Sequence, residues 1–156
     1  IDKQMKRAKT AREARDPQKE YEDSFYRNTE GKICFPALGL KRALVDSVRF
    51  VEGVKMTILR GALFVKGDSV DEKGSQMIVV HGENGKELAV EMRTDQVRLS
   101  GIGATSDLRF RGQAQKWEMV FTVEFNASIL TQEQIANLLM IAGKSNGLGE
   151  WRVERS

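Results

Sequence analysis

The residues of this chain best suited to chemistry lie near its end, where Gly143, Lys144, Ser145, Asn146, Gly147, Leu148, Gly149, Glu150, Trp151 and Arg152 follow one another. Glycines at 143, 147 and 149 give a backbone that can approach a ligand closely. Successive amide N–H groups in such a loop can form a concave anion nest. The chemistry implied is contact with phosphate, free or in a nucleic-acid backbone. The plainer reading of the same residues is a helix C-cap followed by a turn. Gly143-Lys144-Ser145 is not a Walker A motif, since that motif needs a glycine where Leu138 stands and leads from a strand into a helix. ATP hydrolysis is therefore not expected.

Other reactive side chains are few. Cys34 sits between Ile33 and Phe35, an apolar setting that leaves a thiol inert. As the sole cysteine it excludes an internal disulfide and fits a reducing cytoplasm. The only histidine, His81, closes an apolar run and reads as a surface or hydrogen-bonding residue. Asp68 and Asp71 share a loop and could hold a metal, although acidic loops are usually solvated. One His and one Cys do not make a zinc site of the usual kinds. No catalytic residue, metal or cofactor is expected, so the chain is not expected to be an enzyme.

The charge is unevenly distributed. Residues 1–19 hold seven basic side chains (Lys3, Lys6, Arg7, Lys9, Arg12, Arg15, Lys19) and three acidic ones, a net of +4. The remainder has 18 basic and 19 acidic residues, so the overall +3 belongs to this N-terminal arm. Basic arms dock on nucleic acid by releasing counterions from phosphates, and they also serve as solvated tails or pack on a neighbouring subunit. At 156 residues the chain suits one domain with a real core, expected over 20–156. No apolar run approaches the ~20 residues of a membrane span and no signal peptide is visible. The chain opens on Ile1, so its start is expected upstream.

The elements that must position these residues follow from periodicity. Residues 1–15 suit a helix that Asp16-Pro17 stops. Ser24–Arg27 and Lys32–Phe35 read as two strands around a turn. From Pro36 to about Val51, Ala37, Leu40, Leu44, Val48 and Val51 mark one helix face. Lys41, Arg42 and Arg49 lie off that stripe, either as a solvated face or as a basic stripe beside a groove. Met56–Lys66 and Gln76–His81 read as strands, and residues 83–104 as an insertion or hairpin. Leu108 with Phe110, and then Trp117, Met119, Phe121, Val123 and Phe125, alternate with polar residues as two neighbouring strands. Arg109 and Arg111 would then pair with Glu118 and Glu124. Thr131 to Gln134 has the form of a capping box. Its helix would end at Gly143, and Trp151–Arg155 would form a last strand.

This order predicts an α+β fold with two helices on an antiparallel sheet and a central hairpin-like insertion, and a ferredoxin-like plan fits it. Phe35-Pro36-Ala37-Leu38-Gly39-Leu40-Lys41-Arg42-Ala43-Leu44, with the glycine-rich 143–152 stretch, resembles the RAMP proteins, ferredoxin-like (RRM-like) backbone subunits of CRISPR effector complexes. The Phe-Pro helix and the Gly-Leu-Gly-Glu ending also resemble an uncharacterised phage protein type. The RAMP resemblance implies binding of single-stranded RNA or DNA by repeated subunits. It implies backbone contacts from Lys41 and Arg42, and a cradle from Gly143, Lys144, Asn146, Gly147 and Gly149. Arg49, Arg152 and the arm residues Lys3, Lys6, Arg7, Lys9, Arg12 and Arg15 would add charge, with Phe25, Tyr26 and Trp151 available for stacking. The glycine-rich loop is expected near the start of the Pro36 helix. The chain lacks a second ferredoxin-like half, so RNA cleavage is not expected. The alternative is a phage structural, assembly or host-defence-inhibiting protein acting through protein contacts. The location expected is cytoplasmic, in the host if phage-encoded.

Overall fold

Asp16 and Pro17 open the first described element, and the helix expected over 1–15 lies mostly outside the described residues. The Asp16 carboxylate accepts hydrogen bonds from the amides of Gln18 and Lys19 at 3.1 and 3.2 Å, and Pro17 takes the first helical position. Proline is suited there because its missing N–H would have no helical partner. The helix is α1 (Pro17–Asp23). The computed structural model describes residues 14–99, 103 and 105–149. The chain divides into two compact units, one from Ile1–Ser24 and Met92–Gln113, the other from Phe25–Glu91 and Ala114–Ser156.

In the larger unit, β1 (Tyr26–Arg27) pairs antiparallel with β2 (Ile33–Pro36), as the sequence predicts. The turn between them is held by Asn28, whose Oδ1 accepts from the amides of Glu30 and Lys32. Pro36 caps α2 (Ala37–Asp46), which tightens into a 3-10 turn at Ser47–Phe50. The predicted strand over 56–66 is instead two elements, α3 (Met56–Ala62) and β3 (Leu63–Lys66). Leu59, Ala62 and Leu63 are all buried, at the three- and four-residue spacing of a helix face. An apolar run this short carries both periods, and packing decides between them.

β4 (Ser69–Val70) and β5 (Gln76–Val79) follow, giving an antiparallel sheet in the order β1-β2-β5-β4. Gly67 crosses β5 so closely that a Cβ would lie 2.5 Å from the Met77 carbonyl oxygen, which only glycine allows. After the central hairpin described below, β8 (Thr122–Phe125) pairs antiparallel with β3, setting Phe64 opposite Glu124. His81 and Glu118 exchange backbone hydrogen bonds of 2.9 and 2.8 Å. The Thr131 capping box forms as predicted and starts α4 (Gln132–Ile141). Leu44, Leu59, Leu63, Leu130 and Leu138 make the main core, at roughly 1.5–3 kcal/mol for each side chain fully buried. Phe125 and Val123 pack against it, but Trp117, predicted on the same apolar face, is half exposed because the strand is irregular before Thr122.

In the smaller unit, β6 (Glu91–Arg98) and β7 (Ser106–Gln113) pair with each other. The insertion therefore extends further than residue 104 and takes in the strand expected beside 117–125. Arg109 and Arg111 consequently lie on β7, whose sheet partner is β6, and not on one ladder with Glu118 and Glu124 as predicted. Glu124 faces Lys66 instead, and Glu118 accepts the Gly85 amide. α1 packs on β7, where Ser24 Oγ accepts from the Gly112 amide at 2.8 Å.

The architecture is thus mixed α+β, with antiparallel pairing and four α-helices among the described residues. None of the helices is long and apolar enough to cross a membrane among the described residues.

Candidate nucleic-acid interface

Where β2 ends and α2 begins, the chain turns at Pro36 and leaves an open groove of about 500 Å³. The groove lies between the first turn of α2, strand β3 and the β4–β5 pair. Ala37 and Met77 are buried in it, while Tyr26, Leu38 and Phe64 are 58%, 71% and 51% exposed along its rim. Each has a local cause. Tyr26 lies on the edge strand of its sheet, its ring 6.4 Å edge-on to Phe35. Leu38 occupies the outer side of the first turn of α2. Phe64 alternates with buried Leu63, so the pleat of β3 turns it outward with Lys66.

Two cations line the groove. The Lys41 ammonium lies 4.4 Å from the centroid of the Phe64 ring, a cation–π contact. Lys66 Nζ is 2.6 Å from Glu124 Oε1, an ion pair with both side chains about half exposed. Asp71 also borders the groove, but its carboxylate accepts the amides of Lys73 and Ser75 at 2.9 and 2.8 Å. Asp68 is committed in the same way, to the amide of Val79 at 3.1 Å. Neither carboxylate stands ready for a metal, and no group of three or more His, Cys, Asp or Glu among the described residues could hold one. Cys34 is buried in β2, and loss of solvent with Asp68 and Asp71 nearby pushes its thiol up to about 11. A thiol so shifted is almost wholly protonated at neutral pH, and a poor nucleophile.

The glycine-rich stretch takes a different form from the one predicted. Gly143 does not end the helix, which continues through Ala142–Asn146 with π-helical pitch. Gly147 ends it, with φ 67°, and its N–H donates to the Ala142 carbonyl at 2.8 Å. The plainer reading of these residues, a helix end with a glycine cap, describes this segment. Helical amides point back along their own axis, so those of residues 143–146 do not open as a nest.

Asn146 is buried, and its Nδ2 donates to the Ala43 carbonyl at 3.0 Å and to Ser47 Oγ at 2.8 Å. Asn146 therefore meets α2 on its inward face and at its end, at Ala43 and Ser47, and not at the helix start where the segment was expected. At 100° per residue, Lys41 stands roughly 160° around the helix from Ala43, and Arg42 roughly 100°. Asn146 is thus a clamp on the opposite side of α2 from Lys41. Lys144 and Gly149 are exposed, and Leu148 packs on the cluster of Ala37, Leu40 and Ile78.

The remaining predicted contacts scatter. Arg42 and Arg49 are exposed on the outer side of α2 and its 3-10 extension. Arg49 Nε donates to the Asp46 carbonyl, and its guanidinium lies over Phe50. Arg15 is not a free arm residue. It reaches Glu20 and Asp107, each at 2.5 Å, and lies 5.8 Å from the Phe110 ring centroid. These hydrogen bonds hold the Glu20 carboxyl below its ordinary range and the Arg15 guanidinium above its own. Lys3, Lys6, Arg7, Lys9, Arg12, Trp151 and Arg152 lie outside the described residues.

Sequence reasoning missed Phe64 and Lys66. Their signal was the alternation Leu63-Phe64-Val65-Lys66, hidden when the whole apolar run from Met56 was read as core. In comparisons with known proteins, the chain matches no family model, no curated protein and no solved structure.

Proposed function

We propose that this chain is a non-catalytic protein that binds single-stranded nucleic acid along the groove at the start of α2. The observation that carries the reading is Lys41 seated on the exposed ring of Phe64, with Tyr26 exposed on the same groove. Single strands are held without base readout by cations that follow the backbone and aromatic rings that stack on bases. Lys41 and Lys66 supply the first, Tyr26 and Phe64 the second. The mobile counterions released from a strand make such binding fall with salt.

The β2–α2 and β8–α4 successions support a ferredoxin-like plan of the RAMP type in element order alone, since β2 and β8 pair in separate sheets. On that reading the protein works as repeated subunits, a homo-oligomer or part of a larger complex, along one strand. A phage origin and action in the host cytoplasm rest on the sequence resemblance alone. One observation favours the second reading, an assembly or host-defence-inhibiting part that contacts protein. The groove exposes Leu38 and carries the acidic Glu124, features suited to a peptide surface.

Fluorescence anisotropy with labelled single-stranded DNA and RNA, at about 50 and 200 mM salt, separates the two. The groove reading expects binding that weakens with salt and loses about tenfold in Phe64→Ala and in Lys41→Ala. Removal of residues 1–13, cut ahead of the anchored Arg15, is then expected to lower affinity without abolishing it. Binding lost only with the arm overturns the groove reading. Oligomers that form without any response to oligonucleotide support the assembly reading.

A further inference from the structure

The groove holds one cation that is already spoken for. Lys66 Nζ lies 2.6 Å from Glu124 Oε1, and the register of β3 with β8 explains why. Glu124 stands directly opposite Phe64, and Lys66 opposite Thr122, so the pair is a diagonal one across the ladder. A diagonal neighbour is within reach of two long side chains on one face. Lys41, by contrast, meets the ring of Phe64. Two lysines on one groove are thus set differently, one paired with a carboxylate and one poised on an aromatic ring.

Resting on the nucleic-acid reading above, we infer that Glu124 is an internal competitor for phosphate, holding Lys66 until a bound strand displaces it. A carboxylate and a phosphate oxygen make the same kind of charge-assisted hydrogen bond to an ammonium group. A phosphate that reaches Lys66 must break the Glu124 contact and then sit beside an unpaired negative charge. Binding at this end of the groove is weakened accordingly. The strand is first held at Lys41 and Phe64, and Lys66 joins only when the local phosphate charge outcompetes Glu124. The pair sets a threshold: a single phosphate or a free nucleotide gains little from Lys66, while a strand anchored at Lys41 presents its next phosphate at high effective concentration. The class of ligand selected is therefore an oligonucleotide of several phosphates over a mononucleotide.

The test compares wild type with Glu124→Gln, Lys66→Ala and the double variant by anisotropy, using a labelled single-stranded oligonucleotide over a salt series. An exposed ion pair is worth little, so Glu124→Gln is expected to tighten binding only about threefold. The salt slope should stay nearly the same, since Lys66 already meets a phosphate in the wild-type complex, while Lys66→Ala should make it shallower by about 0.7. In the Lys66→Ala background, Glu124→Gln should tighten binding far less. Competition by a mononucleotide should improve at least as much in Glu124→Gln as binding of the oligonucleotide does, because the threshold goes with the carboxylate.

Unchanged affinity in Glu124→Gln, or an equal tightening in the Lys66→Ala background, overturns the latch while leaving the groove reading intact. Binding that is absent from all four proteins overturns the groove reading and the latch together.

Discussion

Two regions of this molecule invite the same reading and are built for opposite ends. The glycine-rich segment after α4 has the composition of a phosphate cradle, yet its carboxamide, Asn146, is turned into the core. The groove at the start of α2 has no motif of that kind, yet it exposes Tyr26, Leu38 and Phe64 beside Lys41 and Lys66. Composition reports what a backbone could do; the hydrogen-bond ledger decides what it is free to do. The amides and the carboxamide after α4 are spent within the fold. The cations and rings of the groove are directed outward, apart from the one ion pair.

The largest effect that tests this contrast is expected at Asn146. Its substitution by alanine removes two buried hydrogen bonds and the volume of the carboxamide, while the Ser47 hydroxyl keeps its own bond to the Ala43 carbonyl at 2.7 Å. Each lost hydrogen bond is worth about 0.5–1.5 kcal/mol, so the pair comes to about 2 kcal/mol. For a chain of this size, about 2 kcal/mol corresponds to a drop in Tm of roughly 4–8 °C. Thermal unfolding followed by circular dichroism measures it, and oligonucleotide affinity of the folded variant should stay at the wild-type level. A normal Tm with lost affinity would reverse the roles assigned to the two regions.

Phe64→Ala is expected to behave in the converse way. Phe64 is half exposed, so its loss should cost little stability, while stacking on one base is worth about 1–3 kcal/mol of affinity. A pair of measurements, Tm and Kd, on this variant and on Asn146→Ala gives a double dissociation. If both variants lose the same property, the contrast is wrong.

How far the sequence carried this contrast depends on the residue. The helix with Leu40 and Leu44, the β1–β2 hairpin and the Thr131 capping box were legible, since each has a local signature in spacing or cap chemistry. α3 was not, because Leu59, Ala62 and Leu63 fit a helix face and a buried strand equally until tertiary packing chooses. The β6–β7 pairing was hidden because Leu108 and Phe110 alternate well enough to suit any partner strand. Asn146 could not be read as a clamp because its two acceptors, Ala43 and Ser47, lie about a hundred residues away in the chain. Phe64 was visible as an aromatic residue, but only the pleat of β3 shows which way it faces.

Gly147 sharpens the contrast from the other side. Its φ of 67° lies in the left-handed region, where a side chain costs roughly 1–2 kcal/mol. Gly147→Ala is expected to lower Tm by a few degrees without altering affinity, since its amide is already bonded to Ala142. Gly143, inside the π-helical turn, is not among the glycines of positive φ and has open space where a Cβ would stand. Gly143→Ala should therefore be neutral or slightly stabilising, as glycine within a helix costs about 0.5–1 kcal/mol relative to alanine. Opposite signs for two glycines four positions apart would show that this segment is a helix end, because a nest that cradled phosphate would suffer from both changes.

The smallest effect is expected at Lys144, and it is informative for that reason. Lys144 is exposed in the last turn of the helical extension, where a cation near the C-terminal carbonyls contributes about 0.3–1 kcal/mol at most. Lys144→Ala should shift Tm by no more than a degree or two and leave Kd for single strands within about twofold. The measurement has to be made at low salt, since screening would hide a real phosphate contact and produce a false neutral result. A true contact at Lys144 would show as a loss of affinity at low salt that fades as salt rises, together with a salt slope shallower by about 0.7. That outcome would move one backbone contact from the groove to the glycine-rich segment. The binding surface would then have to span both sides of α2, from Lys41 to the side clamped by Asn146.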